Sequence, residues 1–156
     1  MTTPQFAPVV ENCSRHLRYL KAARERLPRP VTATHFSEQA DALVAALDQF
    51  AFRFVRLQDT MGSKLFRAFL VECLKEPYEE APFRDVLDRL EGLRLIGSAD
   101  AWERIRVMRN ALAHDYPESA EEKAAALNVA IEMADEMEAV LQRLRNSAAE
   151  RGIGAR

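Results

Sequence analysis

The apolar residues Leu43, Leu47, Phe50, Phe54, Leu57 and Met61 return every three or four positions over about five turns, which only a helix with one buried face can use. Five of the eight phenylalanines, Phe50, Phe52, Phe54, Phe66 and Phe69, fall between positions 50 and 69, so the centre of the core is expected there. Thr34 or Ser37 could supply the N-capping hydroxyl of this helix. Gly62-Ser63 interrupts it at a cost of about 1 kcal/mol relative to Ala, enough to bend it without ending it. The expectation is one long helix, bent near Gly62, that stops before Pro77.

The rest of the chain repeats the pattern. Phe6, Val9, Val10, Cys13, Leu17 and Leu20 make an amphipathic helix that ends before Pro28-Arg29-Pro30. Phe83, Val86, Leu87, Leu90 and Leu93 make a short one. Ser98 or Asp100 can cap a third, with Ala101, Ile105, Met108 and Leu112 as its expected core stripe and Pro117 as its stop. A last helix from about Ser119 to Arg145 turns Leu127, Ile131, Ala134, Met137, Leu141 and Leu144 inward, and its outer surface carries seven carboxylates from Glu118 to Glu138 against the single Lys123. No segment alternates with period two over strand length, and no internal repeat stands out. The expected fold class is all-α, an antiparallel up-and-down helical bundle of about five helices, one domain over residues 1–146 with a frayed tail at 147–156.

Composition narrows the function classes. Twenty-two basic residues against 24 acidic ones leave a net charge of −2, so no whole-protein field draws the chain to nucleic acid or membrane, and any such contact must be local. Cys13 and Cys73 match no redox or metal-ligand spacing and are expected to be reduced and buried. Without a leader pattern or an apolar segment near the roughly 20 residues of a membrane span, the expectation is a cytoplasmic protein. On an ideal helix Arg53, Arg56, Lys64 and Arg67 fall within an arc of about 80°. That stripe is either a solvated face or a track for RNA phosphates.

One stretch looks like chemistry. Arg109-Asn110-Ala111-Leu112-Ala113-His114-Asp115-Tyr116 puts an Arg, an Asn, a His and a Tyr between an apolar helix and a proline. Asn110 and His114 lie within about 40° of each other, roughly opposite the expected core stripe, with Arg109 about 100° to one side, toward Trp102. Val107 falls near His114, which makes a purely solvated face less comfortable and a covering partner more so. A histidine can move a proton near neutral pH and an arginine can neutralise charge on a phosphorane, the set that metal-free ribonuclease chemistry needs. Equally, a His near a helix C-terminus can serve the last carbonyls and the helix dipole, and an Arg can pack on Trp102. His16 and His35 have no comparable neighbours, so a two-histidine mechanism needs a second copy of His114 from a symmetric dimer.

The spacing Arg109-Asn110, then His114, then Tyr116, near the end of a helix in a small bundle, resembles the HEPN superfamily, and more closely the HepT-like toxins of HEPN/MNT (type VII) toxin–antitoxin pairs. The Phe-rich segment with Leu57-Gln58-Asp59-Thr60 also looks like such toxins, without an assigned catalytic role. The resemblance implies a homodimer whose two motifs meet in a cleft, and a metal-independent endoribonuclease needing no cofactor. Arg109 would bind phosphate and stabilise the transition state, Asn110 would position, and His114 would be the acid/base. It also implies an MNT-type nucleotidyltransferase antitoxin that uses ATP and magnesium to transfer AMP to Tyr116. The alternative is a non-catalytic helical module that is bound, or modified, by such a nucleotidyltransferase.

Overall fold

A computed structural model describes residues 5–38, 40–114 and 117–153 of the chain. It is all-helical, with six helices and no strand among the described residues. Helix α1 is Phe6–Glu25 and α2 is the short Ala33–Glu38. Helix α3 runs without a break from 41 to 73, as an α segment Asp41–Thr60, a π turn Met61–Leu65, the single α turn Phe66–Ala68 and a second π turn Phe69–Cys73. Helices α4, Phe83–Gly92, α5, Ala99–Ala113, and α6, Ala120–Glu150, complete the chain.

Pairs of touching residues give the directions. Phe6 packs on Phe69 (ring centroids 5.8 Å apart), while Gln49 donates to the Tyr19 carbonyl, so α1 and α3 are antiparallel. Lys21 pairs with Glu138 at 2.8 Å and Arg24 with Asp135, so α1 and α6 are antiparallel too, and α1 neutralises part of the acidic outer surface of α6. Asp59 meets Arg109 and Phe66 meets Trp102, which sets α5 against α3. The long helices therefore alternate up and down, and α2 and α4 are short additions at the connections. Asn128 on α6 ties the chain after α1 in place, its side chain both accepting from Val31 N and donating to Val31 O at 2.9 Å.

The long helix differs from expectation at its start. Its N-cap is Ala40, in extended backbone and without a side-chain cap, because residues 33–38 form a helix of their own. Ser37 spends its hydroxyl inside that helix, donating back to the Ala33 carbonyl at 3.3 Å. At Gly62-Ser63 the helix continues, as expected, and its backbone widens into a π turn. Thr60 donates to the Arg56 carbonyl and Ser63 to that of Asp59, so hydroxyls take up carbonyl bonding on the entry side of the widened turn.

Phe50, Phe54, Phe66, Phe69 and Trp102 are the largest fully buried side chains, so the Phe-rich segment is the core centre as expected. The inward stripe of α6 is also as read, and Ser119 caps that helix by accepting from Glu122 N at 3.1 Å. The C-terminal limit is corrected: α6 continues five residues past Arg145 to Glu150, and Ala148 is 0% exposed. A second correction concerns α5, whose fully buried residues are Ala99, Trp102 and Ile105, whereas Ala101, Met108 and Leu112 are only half-buried. The bulk of the indole turns the inner face of α5 toward Trp102, and seven residues on, nearly two turns, that same side carries Arg109.

Cys13 and Cys73 are buried and unbonded to each other, and burial pushes their thiols up to about 12 and about 11. At neutral pH they are thiols without thiolate character. Where α1 meets α3, His16 Nδ1 accepts from Arg53 Nη1 at 2.9 Å, and the imidazole is held below its usual value, first by burial and then by Arg53, Arg15 and Arg56. The unfolded chain therefore takes up this proton first as pH falls from about 6.5, so the stability held by neutral His16 above that value is lost on acidification toward its folded pKa. Glu76, held below its usual 4.5 first by its bond to Arg89, acts only at lower pH. Melting temperatures at pH 7.5 and 5.5 should fall more in the parent than in His16→Gln; equal falls would remove His16 from the pH response.

Candidate functional site

The antiparallel crossing of α3 and α5 leaves an open groove of about 720 Å³, lined also by Phe83 of α4. That volume is in the range of small-molecule and nucleotide sites. Helix α3 brings Asp59, Gly62, Ser63 and Arg67 to it, and α5 brings Arg106, Arg109 and Asn110. The π turn is what keeps the α3 residues together: a wider turn advances less per residue, so the 59, 63 and 67 positions drift less around the axis than an α-helix would allow.

Arg109 is held in this groove by a two-point ion pair, Nε to Asp59 Oδ1 and Nη2 to Asp59 Oδ2, both at 2.8 Å. Its Nη1 also reaches Asn110 Oδ1 at 3.4 Å. The bond to Asp59, opposed by partial burial, raises the guanidinium above its ordinary value. Of five N–H donors three are engaged, which leaves one on Nη1 and one on Nη2 in a fixed plane. The guanidinium is thus preoriented by contacts between two helices and not by a loop. Arg106 reaches Glu103 at 3.5 Å on its own helix, and Arg67 donates to the carbonyls of Ala81 (2.9 Å) and Tyr78, pinning the α3–α4 connection against the groove.

The floor carries an unsatisfied group. Trp102 is 1% exposed, and its indole Nε1 has no hydrogen-bond partner among the described residues. A Cβ on Gly62 would stand in ordinary van der Waals contact, 3.6 Å from that nitrogen and 3.5 Å from Gln58 Nε2. Gln58 itself is 5% exposed, a polar residue inside the core at the back of the groove.

The sequence-derived site residues divide. Arg109 and Asn110 line the groove together. His114 does not: it is exposed at the C-cap of α5, its backbone N–H donating to Asn110 O at 2.9 Å, one turn beyond the groove. Tyr116 and Asp115 lie outside the described residues. Val107 (68% exposed), Asn110 and His114 occupy a face of α5 that no other helix of the chain covers among the described residues. The expected basic stripe is not one feature. Arg67 enters the groove, Lys64 is exposed on the π turn, and Arg53 and Arg56 gather on the α1 side around Phe52, because the π turn Met61–Leu65 ends the ideal α register on which a single arc depended.

Asp59 is the site residue that sequence reasoning passed over. The available signal was a carboxylate beside a glutamine, Gln58-Asp59, between Leu57 and Met61 of the apolar stripe and three residues before a mid-helix glycine. What it faces could not be read along the chain, since Arg109 is 50 residues away. Among the described residues, no group of three or more His, Cys, Asp or Glu side chains could hold a metal ion. No helix among them is long and apolar enough to cross a membrane. No family model, curated protein or solved structure matches the chain.

Proposed function

We propose that the chain is a HEPN-type toxin, an endoribonuclease that cleaves RNA without a metal ion at a site completed by a second copy. The observation that carries this reading is the arrangement around Arg109. Its guanidinium is fixed by Asp59 with two donors left over, Asn110 lies beside it, and His114 stands exposed one turn further along the same helix. In one chain the histidine is not in the groove. Two copies related by a two-fold axis, meeting on the face that carries Val107, Asn110 and His114, would bring a pair of histidines to the paired grooves.

There the chemistry balances with side chains alone. One His114 removes the proton from a ribose 2′-hydroxyl as its oxygen bonds to the adjacent phosphorus. The bond from phosphorus to the 5′-oxygen breaks, and that oxygen leaves with a proton from the other His114. Arg109 neutralises the charge that builds on the non-bridging oxygens, and Asn110 positions the phosphate. A minimal nucleotidyltransferase, itself using ATP and magnesium, would neutralise the toxin by placing AMP on Tyr116, an anion two residues from His114 that repels RNA phosphates.

Purified protein is expected to cut single-stranded RNA in EDTA. His114→Ala is expected to lose that activity with its helical circular dichroism unchanged, since His114 is exposed and, among the described residues, bonded only through its backbone. Equal cutting by His114→Ala and the parent would refute the assignment. The position of His114 outside the groove of a single chain favours a second reading, a non-catalytic helical module recognised by the nucleotidyltransferase. Expression alone in a bacterial host separates the two: growth arrest relieved by His114→Ala belongs to the toxin, and unimpaired growth to the module.

A further inference from the structure

On the side of α3 turned to α1, cations and rings alternate. The Arg18 guanidinium lies 4.9 Å from the Tyr19 ring centre and that of Arg53 lies 4.5 Å from the same ring. Arg53 is also 5.3 Å from the ring of Phe52, and Arg56 lies 5.3 Å from Phe52 in turn. The order across the surface is Arg18, Tyr19, Arg53, Phe52, Arg56, with Arg15 one turn before Arg18 on α1. Phe52 is 53% exposed, and Arg15, Arg18 and Arg56 are exposed.

None of these four arginines makes an ion pair with a carboxylate among the described residues. The positive potential they produce is felt by His16 between them, whose proton affinity is lowered, after burial, by Arg53, Arg15 and Arg56. In a protein of net charge −2 this is a local concentration of unneutralised charge.

We propose that this ladder on α1 and α3, carried by Arg15, Arg18, Phe52, Arg53 and Arg56, binds single-stranded RNA, with bases stacked on Phe52 and phosphates on the guanidiniums. It rests on the reading of the chain as an RNA-cleaving protein. Alternation is the reason for single-stranded nucleic acid as the occupant: a strand presents a flat base and an anion in turn, and stacking platforms beside cations are how such strands are held without sequence preference. A duplex buries its base faces and could use only the charges. An anionic membrane would not call for an exposed ring set between two guanidiniums. Arg56 and Asp59 are three residues apart on α3, about 4.5 Å along its axis, so a strand leaving the ladder meets the groove within one helical turn. The ladder would hold the substrate outside the site where it is cut.

The probe is an oligouridylate of about 12 nucleotides carrying 2′-O-methyl groups, which binds but cannot be cut. The combined variant Arg15→Gln, Arg18→Gln, Arg56→Gln changes only exposed side chains and should keep the parent's circular dichroism. Its slope of log affinity against log salt is expected to be shallower by about 2, three lost phosphate contacts at about 0.7 each. Phe52→Ala is expected to weaken binding about tenfold at unchanged slope, and Phe52→Trp to restore it. An unchanged slope in the triple variant, an unchanged affinity in Phe52→Ala, or a loss seen for phosphatidylglycerol vesicles or for duplex RNA but not for the oligouridylate would overturn the proposal. The two readings fail separately: ladder-dependent binding by a protein that cuts no RNA refutes the ribonuclease alone, and His114-dependent cutting with ladder variants binding like the parent refutes the ladder alone.

Discussion

Arg109→Lys is expected to lower RNA cleavage by about two to three orders of magnitude while the bundle stays folded. Lysine keeps the charge but cannot span both oxygens of Asp59, so its ammonium is no longer held in one plane facing the groove. Stability should change by less than about 1 kcal/mol, because the pair is partly open to solvent, with side-chain exposures of 23% and 41%. The effect is therefore on chemistry and not on folding, and a melting curve beside the rate measurement separates them. Asp59→Asn gives a distinguishing signature. It removes the anion that neutralises Arg109, so RNA should bind more tightly while the guanidinium loses its fixed plane, and kcat and KM should fall together. A mutation that merely loosened the fold would not lower KM. Arg109→Lys protein that cuts RNA at the parent's rate would remove Arg109 from the reaction.

The largest effect on stability is expected at Trp102. Trp102→Ala should cost about 3–5 kcal/mol, since the indole is 1% exposed and packs edge-on against Phe66 with ring centroids 4.5 Å apart. Against a total of about 5–15 kcal/mol, that is a lowering of melting temperature by about 10–15 °C. Trp102→Phe tests the unpartnered indole nitrogen. It keeps most of the ring and replaces a buried donor that has no acceptor among the described residues, so its cost should stay below about 1.5 kcal/mol. A Phe variant as damaged as the Ala variant would mean that the indole N–H is satisfied in the folded protein.

Much of the fold was legible along the chain. The helical period of the Phe-rich segment, the serine caps at Ser98 and Ser119 and the stripe of α6 are local properties, set by side-chain spacing and by the hydroxyl that a free N-terminal N–H requires. Boundaries were less legible where competing bonds decide. Ser37 could cap a helix or bond back within one, and it does the latter. At Gly62 the helix widens into a π turn, and neighbouring hydroxyls accompany it. The rotation of α5 was misjudged for a different reason: Ala101, Met108 and Leu112 are apolar and well spaced, but the inner face follows the largest side chain, Trp102.

By itself, then, the sequence determined that this chain is helical, where its apolar faces run, and that Arg109, Asn110, His114 and Tyr116 form its one stretch of candidate chemistry. Tertiary structure alone decided what those residues meet. It set Asp59, 50 residues away, against Arg109, opened the groove at Gly62, left His114 on the uncovered side of α5, and split one supposed basic stripe between the groove and the α1 ladder. Period and capping act within a turn or two of helix, whereas partners across a groove depend on how helices cross and on how far each is wound, and two π turns in α3 changed that winding.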